Sequence, residues 1–222
     1  MPQLLLYYIT DRRAFPGDEA ARRRVLLAKI REAAAVGIDY IQLREKDLSA
    51  RDLEGLAREA IASSRDAQPS TQSRVSRTVL IINSRVDVAL ATSADGVHLP
   101  ANDISTIDVR KAWDRSPARG TVDLVPATIS VSCHSLDEVR RAESTGADLA
   151  LFAPVFEKRG ATQLSGLDGL REACRSRIPV FALGGVTLEN AQGCMEAGAA
   201  GIAGIRLFQE NNLAKLVNKL RG

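Results

Sequence analysis

A weak repeat with a period of a little over fifty residues constrains this chain more than any other feature. A helix end running into an apolar segment reads Gly37-Ile38-Asp39, Ser93-Ala94-Asp95, Gly146-Ala147-Asp148 and Gly198-Ala199-Ala200, at spacings of 56, 53 and 52 residues. That period is too long for one strand–helix unit and right for two. Four double units give eight strands. Short apolar runs alternate with helical patterns, and parallel neighbours need crossover connections. The expected fold is therefore α/β, a closed (β/α)8 TIM barrel, as one domain over residues 1–222. Glycine suits the left-handed end of a helix, and Ser93 departs from that preference.

The strands are expected at Leu4–Ile9, Tyr40–Leu43, Val79–Ile82, Gly96–Leu99, Leu124–Val131, Leu149–Phe152, Val180–Leu183 and Gly201–Ile205. Asp18 caps a helix with apolar positions at Val25, Leu26, Ile30 and Ala33, and Ser49 caps one over Ala50–Ser64. Shorter helices are expected over Val86–Ala91, Ile107–Trp113 and Leu167–Cys174. Ser135 and Glu138 make a capping box ahead of Val139 and Ala142. Leu207–Leu220 reads as one closing helix. Asp66–Arg77 and Arg115–Asp123 are polar loops, and Glu157–Ser165 reads as a loop over the barrel mouth.

Composition excludes several classes. A net charge of +3 with scattered basic residues argues against nucleic acid. No apolar run approaches the ~18 residues of a membrane span, and the N-terminus has no basic segment or cleavage site of a signal peptide. Cys133, Cys174 and Cys194 are odd in number and lack metal-type spacing. Reduced thiols in a cytoplasmic protein account for them. Cys174 and Cys194 read as core fillers, and Cys133 is expected to point away from its polar neighbours.

In such a barrel chemistry sits where strands stop. Strand two runs into Gln42-Leu43-Arg44-Glu45-Lys46, where alternation puts Gln42 and Arg44 on one side. An arginine fork and a mobile lysine charge suit a polyanion such as pyrophosphate; an ordinary surface charge cluster is the alternative. Asn83 ends strand three as a hydrogen-bonding candidate. Asp103, after strand four, is either a magnesium ligand or a helix cap. His98 lies inside a strand and reads as structural. Ser132 and His134 share a side at the end of strand five, and His134 is either a proton carrier near neutral pH or a helix-start residue. No Ser-His-Asp set is evident, which argues against Ser132 as a nucleophile. Gly184-Gly185 and the Ile205-Arg206 turn close two successive strand–loop–helix units, where backbone N–H groups favour a phosphate; a plain tight turn is the alternative for the glycine pair.

Taken in order, Tyr8-Ile9-Thr10-Asp11, Gln42 to Lys46, Ile82 to Ala89, Ala94 to Leu99, Ser132-Cys133-His134-Ser135, Ala153-Pro154-Val155-Phe156 and Ala182 to Val186 resemble the thiamine-phosphate synthase/TenI (thiazole tautomerase) family across nearly the whole chain. The resemblance implies a barrel that binds a thiazole phosphate near Gly184, Gly185, Ile205 and Arg206. It implies that Gln42, Arg44, Lys46 and Asn83 hold the pyrophosphate of a hydroxymethylpyrimidine substrate, with Asp103 on Mg2+ and Ser132 near the departing group. The partners implied are these small phosphorylated thiazole and pyrimidine substrates; homo-oligomers stay open. Three departures from the synthase pattern stand out. Ser84 replaces a magnesium-binding aspartate, and the stretch after Phe156 lacks the family's Pro-Thr-x-Thr-Lys loop, leaving Lys158 or Arg159 as substitutes. Arg206 stands where the last strand usually presents serine. The tautomerase branch uses the position of His134 as acid–base catalyst without magnesium. Three readings follow: a synthase first, a tautomerase second, and a non-catalytic binder of thiazole phosphate third.

Overall fold

The computed structural model describes residues 3–68, 77–101, 103–116, 126–156 and 165–222. Eight parallel strands close into a barrel in chain order: β1 Leu5–Ile9, β2 Tyr40–Leu43, β3 Val79–Asn83, β4 Gly96–Leu99, β5 Thr128–Cys133, β6 Leu149–Phe152, β7 Val180–Ala182 and β8 Gly201–Gly204. The last strand pairs with the first through Leu5 opposite Gly201. Helices α1 Glu19–Ala35, α2 Ala50–Asp66, α3 Val86–Thr92, α4 Thr106–Asp114, α5 Leu136–Ser144, α6 Gly166–Ala173, α7 Ala191–Glu196, α8 Arg206–Gln209 and α9 Leu213–Arg221 follow the strands. No helix among the described residues is long and apolar enough to cross a membrane.

The repeat has a physical cause. All four helix-end positions are left-handed: Gly37 at φ 80°, Ser93 at 54°, Gly146 at 83° and Gly198 at 95°. Ser93 holds the conformation without glycine. The aspartates that follow join neighbouring strands. Asp39, Asp95 and Asp148 accept the backbone N–H of Leu6, Leu80 and Ile129 at 2.7, 2.9 and 2.6 Å. Each also pairs with an arginine, Arg221, Arg77 and Arg110 in turn. The fourth repeat has Ala200, and there the backbone alone makes the link to the preceding strand, from Ala200 N–H to the Val180 carbonyl.

Three expectations are corrected. Strand β5 begins at Thr128, four residues later than Leu124, because Pro126 has no N–H to give the ladder and the first bond is from Thr128 N–H to the Asp95 carbonyl. The closing helix is broken. Asn212 caps α9 by accepting from Lys215 N–H at 3.0 Å, and this separates it from the short α8. Val25 faces solvent at 42% exposure, since the buried stripe of α1 runs through Leu26, Ile30 and Ala33 at helical spacing. Most of the expected loops, residues 69–76, 117–125 and 157–164, lie outside the described residues.

The core has two layers. Outward-facing strand residues such as Leu6, Tyr8, Ile41 and Ile82 meet the helices. Inward-facing Tyr7, Ile9, Ile81, Leu149, Leu151, Phe181 and Ala203 fill the barrel. Tyr7 stacks on Tyr40 at 5.5 Å and meets the edge of Phe181 at 5.6 Å. A Cβ on Gly201 would lie 2.4 Å from the Phe181 ring, so glycine there makes room for this aromatic plug. The interior is thereby sealed, and polar side chains gather at the C-terminal ends of the strands.

Candidate active site

Arg44, His134 and Gly185 follow the ends of β2, β5 and β7, so the closed parallel barrel brings them to one rim. The loop after β2 is the most firmly held part of it. Glu45 is 4% exposed and accepts from the Thr10 hydroxyl at 2.6 Å, the Arg12 N–H at 3.0 Å and Arg12 Nη1 at 3.1 Å. Arg12, itself buried, also binds Asp47 at 2.8 Å and Glu19 at 2.7 Å. The Thr10 hydroxyl accepts the Arg44 N–H at 3.0 Å. The surface-cluster alternative therefore does not describe Glu45, which is a buried anchor. Burial pushes its carboxyl above the usual range despite the hydrogen bonds and the Arg12 charge, which pull the other way. Asp47, bonded to the same Arg12 and open to solvent, is held below it.

With Glu45 buried against Arg12, Arg44 is left half-buried and Lys46 exposed. Among the described residues neither side chain has an acidic partner. The Arg44 charge, followed by partial burial, lowers the Lys46 pKa. Two like charges held together without a counter-ion make a site that gains from an anion. They line a cleft of about 420 Å³ with Asp11, Arg13, Ala14, Glu45 and Asp47, the last two carboxylates being tied to Arg12. Asp11 and Ala14 also line a larger cleft of about 690 Å³, which carries Gly184, Gly185, Ile205 and Arg206. The two clefts are thus neighbours. Among the described residues nothing accepts the N–H groups of Gly185 and Val186. Gly184 needs its φ of 92°, and a Cβ there would lie 2.8 Å from Pro154 Cα.

Gln42 is buried and donates from Nε2 to Asn83 Oδ1 at 2.8 Å. Its Oε1 is buried and has no donor among the described residues. The Gln42 amide thus keeps an unused carbonyl and the second of its two N–H groups. Asn83 is turned toward Gln42 and Ser84, donating to the Ser84 hydroxyl at 3.2 Å.

His98, expected to be structural, is 3% exposed. Its ring joins two hydroxyls, Ser130 Oγ at 2.8 Å from Nδ1 and Ser132 Oγ at 2.9 Å from Nε2. Burial, then the charges of Arg44 and Lys46, push it down to about 3. The folded state therefore binds a proton more weakly than the unfolded chain, whose imidazole titrates near 6.5. Its contribution to stability is complete above that value and is lost as pH falls toward about 3. Urea unfolding followed against pH is expected to show a shallower acid-side decline in His98→Gln than in the unmodified chain. Equal slopes would remove this assignment.

His134 is exposed, and its Nδ1 donates to the Ala153 carbonyl at 2.7 Å, leaving Nε2 free when neutral. Its backbone N–H donates to the Glu138 carboxylate at 2.5 Å, so the capping box expected around Ser135 is half made: Ser135 Oγ accepts the Glu138 N–H, but Glu138 reaches back to His134 and not to the Ser135 N–H. Cys133 points outward into the helix layer, as alternation requires. Asp103 is not the helix cap: Ser105 caps α4 by accepting the Ile107 N–H, and the Asp103 carboxylate accepts only the adjacent Ile104 N–H at 2.8 Å among the described residues. It lines a separate groove of about 430 Å³ with Ser132, Glu138 and Arg141. No group of three or more His, Cys, Asp or Glu suited to a metal occurs among the described residues. Asp103 alone does not make a preformed magnesium site, and Ser84 adds no carboxylate. Sequence reading missed Asp11, which joins the two clefts, and the Arg12–Glu45 anchor. The Tyr7–Ser130 end of the His98 cluster was also missed, although the alternation of Ser130 with Ser132 pointed to it.

A family described as thiamine monophosphate synthase matches residues 6–208. Thiamine-phosphate synthase of Roseiflexus sp. RS-1 is 36% identical, covering 90% of this chain and 75% of that protein. The Moorella thermoacetica protein of the same name is 35% identical, covering 91% and 87%. The solved structure of thiamine phosphate pyrophosphorylase from Pyrococcus furiosus superposes with a TM-score of 0.77 at 30% identity, covering 98% and 94%. A geranylgeranylglyceryl phosphate synthase from Thermoplasma acidophilum, at 17% identity and a TM-score of 0.64, shares the barrel alone. The chain belongs to the thiamine monophosphate synthase/TenI family, as a transferase of thiamine biosynthesis.

Proposed function

We propose that this rim couples hydroxymethylpyrimidine pyrophosphate to a thiazole phosphate and releases pyrophosphate, in the cytoplasm. The observation that carries the reading is the pair Arg44 and Lys46, held side by side without an acidic partner among the described residues. The family binds phosphorylated thiazole and pyrimidine substrates. The C–O bond to pyrophosphate breaks, the leaving group takes the electron pair, and the thiazole nitrogen captures the methylene carbon. Arg44 and Lys46 stabilise the charge that develops on the leaving oxygens. Gln42, fixed by Asn83, accepts an N–H of the pyrimidine, and Ser132 lies near the departing group. The cleft at Gly184, Gly185, Ile205 and Arg206 takes the thiazole phosphate through backbone N–H groups and the Arg206 charge. The shared wall at Asp11 and Ala14 sets the two substrates side by side, which is the positioning a two-substrate reaction needs.

The family commonly uses magnesium, which bridges phosphate oxygens. The donor set here does not fit a preformed site, so no step is assigned to the metal. The test is direct. Protein given both substrates and magnesium is expected to release pyrophosphate, and no release at any magnesium concentration overturns the reading.

One observation favours a second reading, a thiazole tautomerase: the His134 ring is fixed through Nδ1 and leaves Nε2 open at the rim. Under the synthase reading His134→Ala lowers pyrophosphate release by less than about ten-fold, because no proton transfer is required of it. Loss of solvent-proton exchange into a thiazole phosphate, with coupling absent in the parent, would instead establish the tautomerase.

A further inference from the structure

Four polar side chains form a single file across the barrel interior. Tyr7 Oη meets Ser130 Oγ at 3.1 Å, Ser130 Oγ meets His98 Nδ1 at 2.8 Å, and His98 Nε2 meets Ser132 Oγ at 2.9 Å. Tyr7 and Ser130 are fully buried, His98 nearly so, and Ser132 lines the groove that carries Asp103. Among the described residues Tyr7 Oη has no partner except Ser130, its ring being packed by Tyr40 and Phe181.

With a neutral imidazole the file holds four protons and three links. If Tyr7 donates to Ser130, Ser130 donates to Nδ1 and Nε2–H donates to Ser132, then every buried donor is used. The fourth proton, on Ser132, sits at the open end. If Nδ1 carries the proton, it donates to Ser130. The Ser130 proton must then go to Tyr7, which strands the phenol proton, or have no acceptor at all. A buried donor without an acceptor is costly, so this second arrangement loses. An imidazolium would be a buried charge with no carboxylate beside it and with Arg44 and Lys46 nearby. Burial and those two charges hold the ring neutral.

We infer that Ser130 is a positioning residue: closed off behind by Tyr7, it fixes His98 as the Nε2–H tautomer and so turns the Ser132 hydroxyl proton outward as a donor to an anionic oxygen at the rim. In this arrangement His98 cannot take a proton from Ser132, which agrees with the absence of a nucleophilic serine set. The tautomer follows from the buried file alone. That the anion is the departing pyrophosphate rests on the proposed coupling reaction.

The chain has two histidines, so nitrogen-15 labelling with two-bond proton correlation reads each ring, and His134→Gln assigns them. Near neutral pH and without substrate, His98 is expected to be protonated at Nε2 and bare at Nδ1. Protonation at Nδ1, or at both nitrogens, overturns the inference. Ser130→Ala removes one buried hydroxyl and is expected to give a mixed tautomer. It is also expected to lower kcat for pyrophosphate release about ten-fold, a fraction of what loss of a whole anion donor costs, with KM for the pyrimidine substrate little changed. A pure Nε2–H signal with unaltered kcat in Ser130→Ala removes the positioning role. If the parent releases no pyrophosphate, the coupling reading fails and the tautomer signal alone decides the file.

Discussion

Arg44→Ala is expected to lower kcat/KM for the pyrimidine substrate by about 10²–10³-fold, the usual loss for one donor aimed at developing negative charge. Three observations support a loss of that size. The Arg44 guanidinium has no acidic partner among the described residues, so no internal contact competes for it. Its backbone is fixed through Thr10, so the side chain leaves a rigid base. Lys46 stands beside it and is already strained by the shared charge. Lysine at position 44 is not a conservative change, since a point charge does not replace a planar fork on phosphate oxygens. KM for the thiazole phosphate should move little, because that substrate is assigned to the neighbouring cleft. Thermal stability should also hold, because no ion pair is lost. Steady-state pyrophosphate release with one substrate varied at a time checks the two kinetic expectations, and thermal unfolding checks the third. Retention of activity within three-fold, or equal damage to both substrates, would move the pyrophosphate away from Arg44.

Glu45→Ala is expected to cost about 3–5 kcal/mol of folding stability, the range for breaking a buried pair from one side. The buried Arg12 would keep Asp47 and Glu19 but lose its partner inside the barrel rim. The Thr10 hydroxyl and the Arg12 N–H would lose their acceptor. Burial, which pushes the Glu45 carboxyl upward, outweighs its hydrogen bonds and the Arg12 charge. Because Arg12 keeps two other carboxylates, the cost lies in the Thr10 hydroxyl and the Arg12 N–H left buried without an acceptor. Glu45→Gln keeps an acceptor for Thr10 and should lose less. The loop it anchors carries Arg44 and Lys46, so the alanine variant should also raise KM for the pyrimidine substrate. Urea denaturation of the two variants checks the order, and a smaller loss for alanine than for glutamine would contradict it.

Much of the architecture could be read from the chain. The repeat of helix end, aspartate and strand fixed the count of eight, because each element of it has a local cause: a left-handed helix terminus, then a side chain short enough to reach the next backbone. Strands β2, β4 and β6 were placed to the residue, since their apolar runs are short and bounded. The misses were also local in origin. Asn212 breaks the last helix by a cap whose capping group sits within an otherwise helical pattern, and the start of β5 depends on which N–H finds the neighbouring strand.

The site was legible as a set of residue types at strand ends, and their convergence followed once the barrel closed. Which way each polar group faces was not legible. Gln42, Arg44, Glu45 and Lys46 look alike as a run of polar letters. Only the closed barrel buries Glu45 against Arg12, leaves Arg44 and Lys46 without a counter-ion, and turns Gln42 to Asn83 with its carbonyl unused. Periodicity sets which residues leave a strand at the same side, because it is a property of the local backbone. Partners 33 to 123 positions away in sequence, as in Arg12 with Glu45 and Tyr7 with Ser130, are set by sheet register and barrel curvature, which no local pattern encodes.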